Sequence, residues 1–357
     1  MVIAMKEIVS KSRAREALLK CLQEVPFLQV ETQRGAGRVS SRSDFLIHVK
    51  KPGGRISLIV EVKKLGQPRT IREATNQLLR FKNSLPSAYG VVMAPYISPQ
   101  AAEICVKEGF GYADLAGNCL LSFDQVFISK EGKENPFTRK RDLRSLYSPK
   151  AERVLRVLLS APGRWWKIQA LAKTAGVSLG QSFNVKKLLI DREWMETGDE
   201  GFRLTAPANL LGEWEQNYNY RRSAIREFYT LRPIADFERA LAEDCEKTET
   251  AYALAGFSSA ARYAPMVRYQ RVMAYVLGDL DVLARRLELK PVPSGANVNL
   301  LIPYDEGVFI DARAKGEANV TSPVQTYLDL RQNKGRGEEA ADFIMKRVIE
   351  PTWSENG

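Results

Sequence analysis

Histidine is almost missing from this chain: among 357 residues there is one, His48. That scarcity excludes His-containing triads, His-rich zinc sites and His-centred nuclease motifs, and it leaves carboxylates and lysine as the groups for any catalysis. Cysteine is scarce too. Cys21, Cys105, Cys119 and Cys245 form no CxxC pair and no metal-like spacing, so they read as reduced thiols rather than a disulfide framework. No run approaches the ~18 apolar residues of a membrane span. Lys6 and Glu7 stand where a signal peptide would need its apolar core, so a cytoplasmic protein without membrane contact is expected. There is no GxxxxGKS or GxxxxGKT phosphate loop, and Gly109-Phe-Gly111 lacks the third glycine of a dinucleotide fingerprint, so nucleotide-driven chemistry has no support.

What the chain does have is positive charge. Lys plus Arg is 53 against 42 Asp plus Glu, a net charge of +11 that points to a polyanionic partner. At ~100 to 200 residues per domain, two or three domains are expected. The pattern divides as 1–129, a basic linker 130–147, 148–210 and 211–357, an α/β multidomain chain. In the first part a helix is expected over Ser12 to Glu24. Strands at Phe45 to Val49 and Ile56 to Val62 follow, then a helix over Ile71 to Ser84, a strand at Tyr89 to Ala94, a helix over Ser98 to Glu108 and a short strand pair around Ala113 and Cys119 to Phe123. The order is αβββαβαβ. The linker carries Arg139, Lys140, Arg141 and Arg144 with Gly132 and Pro136.

Lys51-Pro52-Gly53-Gly54 marks a turn, and a hairpin centred between Pro52 and Gly53 pairs residues whose numbers sum to 105. Asp44 then lies across from Glu61, and Lys63 joins their face by period-2 alternation, while Phe45, Ile47, Val49, Val60 and Val62 point to the other side. Two carboxylates and a lysine this close can hold a hard cation beside a phosphodiester and activate or orient water. Asp44 with Glu61-Val62-Lys63, behind a leading helix, resembles the PD-(D/E)XK, or restriction-endonuclease-like, nuclease family over about residues 10 to 128. The resemblance implies an αβββαβ fold, Mg²⁺ held by Asp44 and Glu61, a catalytic Lys63, and Gln77 in the following helix at a position where the family often has glutamine. Glu16 or Glu24 would supply the acid some members carry on the first helix. Ser43 stands where the family motif has proline. Without the family, an acid and a lysine on a wet strand face, Gln77 as a helix-surface residue and His48 as a strand-surface residue describe the same pattern.

From Ser148-Pro149 the chain reads as a helix over Glu152 to Leu159, a short strand over Arg164 to Ile168, and a helix over Gln169 to Ala175 ending at Gly176. A helix capped by Ser178 follows through Asp191, then a two-stranded wing around Gly198-Asp-Glu-Gly201. This resembles a winged helix-turn-helix over about residues 148 to 207. Leu179, Phe183, Leu188 and Leu189 are apolar residues of this helix. Ser178, Gln181, Ser182 and Asn184 would lie at the base edges of double-stranded DNA, and Lys186, Lys187 and Arg203 at its phosphates. Trp165 and Trp166 read as core packing.

In the last part, strands are expected near Ala251 to Leu254, Val272 to Val276, Leu300 to Ile302 and Val308 to Asp311. The turn at Gly256-Phe-Ser-Ser either packs a glycine or binds phosphate, with Arg268 and Arg271 beyond it, and Asp279 caps the next helix. The winged helix, the Ala-Gly256-Phe-Ser-Ser-Ala-Ala turn, Ser322-Pro-Val-Gln-Thr-Tyr-Leu-Asp-Leu330 and Gly335-Arg-Gly-Glu-Glu-Ala-Ala341 together resemble the AbiEi-type antitoxins of type IV toxin-antitoxin systems, over about residues 148 to 350. The resemblance implies a DNA-binding repressor whose carboxy-terminal domain counters a nucleotidyltransferase-like toxin; an operator with dyad symmetry would suggest a homodimer or two modules. The amino-terminal domain departs from that plan and keeps a second reading open, a Mg²⁺-dependent DNA endonuclease hydrolysing phosphodiesters, or a third, an inactive nuclease domain that clamps DNA.

Overall fold

A computed structural model describes residues 11–31, 43–82, 85–133, 135–136, 146–264 and 269–355. Arg139, Lys140, Arg141 and Arg144 of the expected linker, Ser84 at the end of the expected helix, and Arg268 lie outside the described residues. The chain divides into two compact units, Met1–Arg141 with Ile190–Glu193, and Asp142–Leu189 with Trp194–Gly357.

The first unit runs α1 (Lys11–Gln23), β1 (Gln29–Glu31), β2 (Phe45–Lys51), β3 (Gly54–Val62), α2 (Pro68–Lys82), β4 (Ala88–Ala94), α3 (Pro99–Lys107), β5 (Gly111–Asp114), β6 (Cys119–Phe123) and β7 (Val126–Lys130). The expected helices and strands are present, with two strands that the sequence pattern did not mark, β1 and β7. All seven strands form one sheet in sequence order, with β3, β4 and β5 parallel at its centre and antiparallel partners on both flanks. Parallel strands need both faces covered, and residues 58–61 are all buried. Leu58 and Val60 pack with Leu18 and Leu22 of α1, whereas Ile59 packs with Ile71 and Leu78 of α2 and Ile104 of α3. The face expected to be wet is therefore mostly under helices, and Glu61 sits at its margin. The hairpin pairs Phe45 with Val60 and Lys51 with Gly54, the expected sum of 105. Pro52 at the second turn position and Gly53 at φ 80° in the third set that register, because the third position of such a turn needs a positive φ. The four cysteines are buried free thiols.

The second unit begins with three helices, α4 (Pro149–Ser160), α5 (Ile168–Ala175) and α6 (Leu179–Asp191), and the hairpin β8 (Met195–Gly198) and β9 (Gly201–Leu204). The strand expected at Arg164 to Ile168 is reduced to one bridge, Trp166 to Phe202. After α7 (Pro207–Asn217) come β10 (Ala224–Tyr229), α8 (Ile234–Lys247), β11 (Tyr252–Leu254), α9 (Gly256–Tyr263), β12 (Val272–Val276), α10 (Leu280–Arg286), β13 (Lys290–Pro291), β14 (Val298–Ile302), β15 (Arg313–Lys315) and β16 (Ala318–Val320). The helices α11 (Pro323–Arg331), α12 (Arg336–Ile344) and α13 (Glu350–Glu355) complete it. The strands form a mixed sheet ordered β13-β10-β14-β12-β11-β16-β15. Phe237 and Leu241 of α8 and Leu280 and Leu283 of α10 cover one face through Val272, Ala274, Val276 and Leu300. The segment expected as a strand at Val308 to Asp311 is instead a 3-10 turn over Glu306–Phe309, nucleated by the Asp305 side chain accepting from Gly307 N. The strand β10 escaped the sequence pattern because most of its residues are exposed and no apolar alternation marks it.

The opposite face of this sheet carries polar groups. Tyr275 of β12 donates to Asp329 of α11 (2.9 Å), as does Tyr218 (2.6 Å), and Gln325 Nε2 donates to both Tyr218 (2.6 Å) and Asp329 (2.9 Å). Gln325 Oε1 accepts two bonds from Arg156 of α4 (3.0 and 2.7 Å), whose guanidinium lies 5.0 Å from the Trp214 ring centre. Glu152, one turn earlier, pairs with Arg156 (3.6 Å) and Arg222 (3.0 Å) and accepts from Tyr304. Glu152, Arg156, Gln325 and Asp329 are all buried. The network explains why α4 buries nearly all of its circumference: one side serves the three-helix module and the other meets α11.

Burial pushes the Asp329 carboxyl up to about 6, against the pull of its bonds from Tyr218, Tyr275 and Gln325. An unfolded Asp titrates near ~3.9, so the fold holds this proton more tightly than the unfolded chain. The stabilisation is complete below about pH 4 and is lost as pH rises through about 6. All five tryptophans, at 165, 166, 194, 214 and 353, belong to the second unit, so their fluorescence reports its unfolding. Between pH 4 and 7, urea melts should show wild-type protein losing roughly 2 kcal/mol relative to Asp329→Asn. An unchanged difference across that range would mean that Asp329 does not titrate there.

Candidate functional sites

In the first unit the hairpin register places Asp44 and Glu61 opposite one another at the open end of β2 and β3. Asp44 Oδ2 accepts from Val62 N (2.8 Å), which pins the carboxylate to the neighbouring strand, and Oδ1 pairs with Lys11 Nζ (2.8 Å). Hydrogen bonding to Asp44 raises the Lys11 ammonium above its ordinary value. Lys63 Nζ donates to Glu61 Oε1 (2.8 Å) and to Gln77 Oε1 on α2 (2.7 Å). The structure thus brings Asp44, Glu61, Lys63 and Gln77 together, and Gln77 positions the lysine.

Glu61 is 7% exposed, and its Oε2 is buried without a partner. Burial raises its carboxyl above the ordinary range, Lys63 opposes that, and Asp44 adds to it. A buried carboxylate oxygen with no donor fits a cation ligand, with Asp44 as the second. Among the described residues no third acid or thiol joins them; Mg²⁺ commonly binds through one or two carboxylates and keeps several waters. Of the first-helix acids, Glu24 is engaged with Lys130. Glu16 is exposed and borders a cleft of about 330 Å³ with Lys11, Ser12, Arg15, Leu19 and Phe45.

In the second unit, α5 ends at Gly176 in the left-handed conformation (φ 61°), and Ser178 Oγ accepts from Gln181 N to start α6. That start fixes the phase of α6: Ser182, Val185 and Leu189 are its buried positions. One expectation is corrected by it. Ser182 is fully buried with its hydroxyl unpartnered, so it does not reach a base edge. Leu179 and Phe183 face outward, 52% and 57% exposed, because at ~100° per residue they lie off the arc containing 182, 185 and 189. Ser178, Asn184 and Lys187 are exposed, and Gln181 and Lys186 are half-buried. The Lys186 ammonium rests 4.5 Å from the Phe202 ring centre. Arg203 on β9 is already paired with Glu196 (2.9 Å) and stacked on Trp165 (5.0 Å). Trp166 is in the core, as expected.

The turn at Gly256 packs. Ser258 Oγ accepts from Met273 N (3.2 Å), Ser259 Oγ bonds Thr326 Oγ1 (2.7 Å), and both serines are fully buried. Asp279 caps α10 through Asp281 N and Val282 N (2.9 and 3.1 Å). The buried network around Asp329 was missed by sequence reasoning; its signal was an Asp and a Gln inside the otherwise helix-forming run of α11.

Comparison with known families gives a match in the carboxy-terminal part. Residues 203–350 match the family of transcriptional regulators described as AbiEi antitoxins of type IV toxin-antitoxin systems. The match begins in β9 and takes in the whole mixed sheet. No curated protein and no solved structure gives a significant match. Among the described residues no helix is long and apolar enough to cross a membrane.

The buried, unpartnered Ser182 hydroxyl generates a prediction of its own. Ser182→Ala removes an unsatisfied polar group and should raise the stability of the second unit by about 1 kcal/mol in urea melts, with DNA affinity unchanged. A loss of affinity would return Ser182 to the DNA-facing set.

Proposed function

We propose that the protein is a DNA-binding transcriptional regulator and antitoxin of a type IV toxin-antitoxin system. The observation that carries the reading is the continuity of two parts: three helices and a strand hairpin lead, within one compact unit, into the region matched by the AbiEi antitoxins. In this reading residues 148–210 are a winged helix-turn-helix with α6 in the major groove of double-stranded DNA, contacted by Ser178, Gln181, Asn184 and Lys187. Lys186 and Arg203 flank the groove from the wing side. Residues 211–357 meet a toxin of nucleotidyltransferase type, and a homodimer would match a palindromic operator.

Residues 1–129 form a restriction-endonuclease-like domain in the same proposal, and the orphaned Glu61 Oε2 favours a second reading for it, a DNA endonuclease. Asp44 and Glu61 would hold Mg²⁺, which supplies charge neutralisation beside a phosphodiester and lowers the pKa of bound water. Lys63, held between Glu61 and Gln77, presents its ammonium to the developing phosphate charge. Lys11, paired with Asp44, stands at the same opening.

Electrophoretic shifts with duplexes flanking the protein's own coding sequence test the regulator. Lys187→Glu should weaken binding at least tenfold, and the salt dependence should shrink by the one lost phosphate contact. Sequence-independent binding alone would count against operator recognition. For the amino-terminal domain, plasmid cleavage with Mg²⁺ or Mn²⁺ should be lost in Asp44→Ala and in EDTA, with operator binding retained. A wild-type protein that cuts no plasmid, linear or branched DNA would leave this domain a binding platform.

A further inference from the structure

The outward face of α6 carries two large apolar side chains where a solvated helix would carry polar ones. Leu179 and Phe183 are four residues apart, on one side of the helix, and each is more than half exposed. Gly180, beside them, has no atom within 4 Å of where a Cβ would stand, so the surface between is open. Side chains spaced by one turn sit ≈ 5–6 Å apart, close to two base-pair steps of ~3.4 Å. Asn184 and Lys187 occupy the same exposed arc.

The surroundings identify the occupant. From Ala161 to Ile190 there is no Asp or Glu, while Arg164, Lys167, Lys173, Lys186 and Lys187 are all cationic. A cleft of about 470 Å³ at the amino-terminal end of α6 is lined by Lys150, Lys173, Ser178 and Gln181 among others. A polyanion is complementary to this surface, and an acid-free apolar face within it fits a nucleic-acid groove that displays apolar groups. In DNA those groups are the 5-methyls of thymine, which project into the major groove and are read by apolar side chains; an Asn on the same face pairs with the adenine edge.

We propose that Leu179 and Phe183 read thymine methyl groups, making the recognised DNA an A·T-containing site with thymines one or two steps apart and an adenine opposite Asn184. The inference rests on the DNA-reading role proposed above for α6, and it names the determinant of specificity. Burial of one methyl is worth about fourfold in affinity, so two are worth about tenfold or more.

The test uses full-length protein to enrich a duplex from a random-sequence pool, then compares that duplex made with thymidine and with deoxyuridine, which lacks only the methyl. Wild type should lose about tenfold on the deoxyuridine duplex. Phe183→Ser and Leu179→Ser should each lose about fourfold on the thymidine duplex and respond less to its replacement. The base replacement needs no protein variant, so misfolding cannot imitate it. Equal wild-type affinity for both duplexes overturns the inference while leaving DNA binding through α6 standing if Lys187→Glu still weakens it. Enrichment of no sequence, or no DNA binding at low salt, overturns both this inference and the operator-reading role. Retained DNA affinity in Phe183→Ser with loss of binding to a protein partner assigns the face to that partner and overturns it as well.

Discussion

The second unit is organised around a guanidinium taken out of water. Arg156 is buried in a helix whose other buried residues are mostly aliphatic, and an isolated buried charge would cost several kcal/mol. Its position is tolerated because Glu152, Gln325 and the Trp214 ring close around it, and these come from α4, α11 and α7. Asp329 extends the same network to Tyr275 in the centre of the sheet. A hydrogen-bonded set of this kind specifies one arrangement more sharply than apolar contact does, because any slip of α4 along α11 leaves charges unpaired. The first helix of the proposed DNA-reading module is thereby tied to the mixed sheet by geometry as well as by chain connection.

The first unit depends on a different constraint, the register of one hairpin. A slip of one residue would send Asp44 to the face packed under α1, away from Glu61 and Lys63. The turn with Pro52 and Gly53 prevents it, and the burial of Leu58 and Val60 on one side and Ile59 on the other enforces it. The same double burial shapes the chemistry. Burial removes water from Glu61, raises its carboxyl and leaves Oε2 without a donor, conditions under which a cation has most to gain.

Much of the fold was legible in the sequence for local reasons. The β2–β3 turn, the Gly176 helix end, the Ser178 start, the Asp279 cap and the order of elements in the first unit follow from backbone preferences and short-range hydrogen bonds that a few residues decide. The set Asp44, Glu61, Lys63 and Gln77 could be assembled on paper because strand pairing is arithmetic once the turn is known. Two kinds of statement failed. The strand expected at Val308 to Asp311 gave way to a turn that Asp305 stabilises, and β10 was invisible because its side chains are mostly exposed.

The facing of α6 shows where local reasoning ends. Its apolar residues, Leu179, Phe183, Leu188 and Leu189, outnumber what one buried stripe needs, and no periodicity chooses among them; tertiary packing buried Val185 and Leu189, took Ser182 inside and left Leu179 and Phe183 out. The sequence by itself determined the elements, their caps and the hairpin pairing, since these depend on neighbours along the chain. Only the tertiary structure decided which face of α6 is free, that Glu61 is dry, and that Arg156 and Asp329 share one buried network, because each of these is a matter of which distant residues exclude water from the same place.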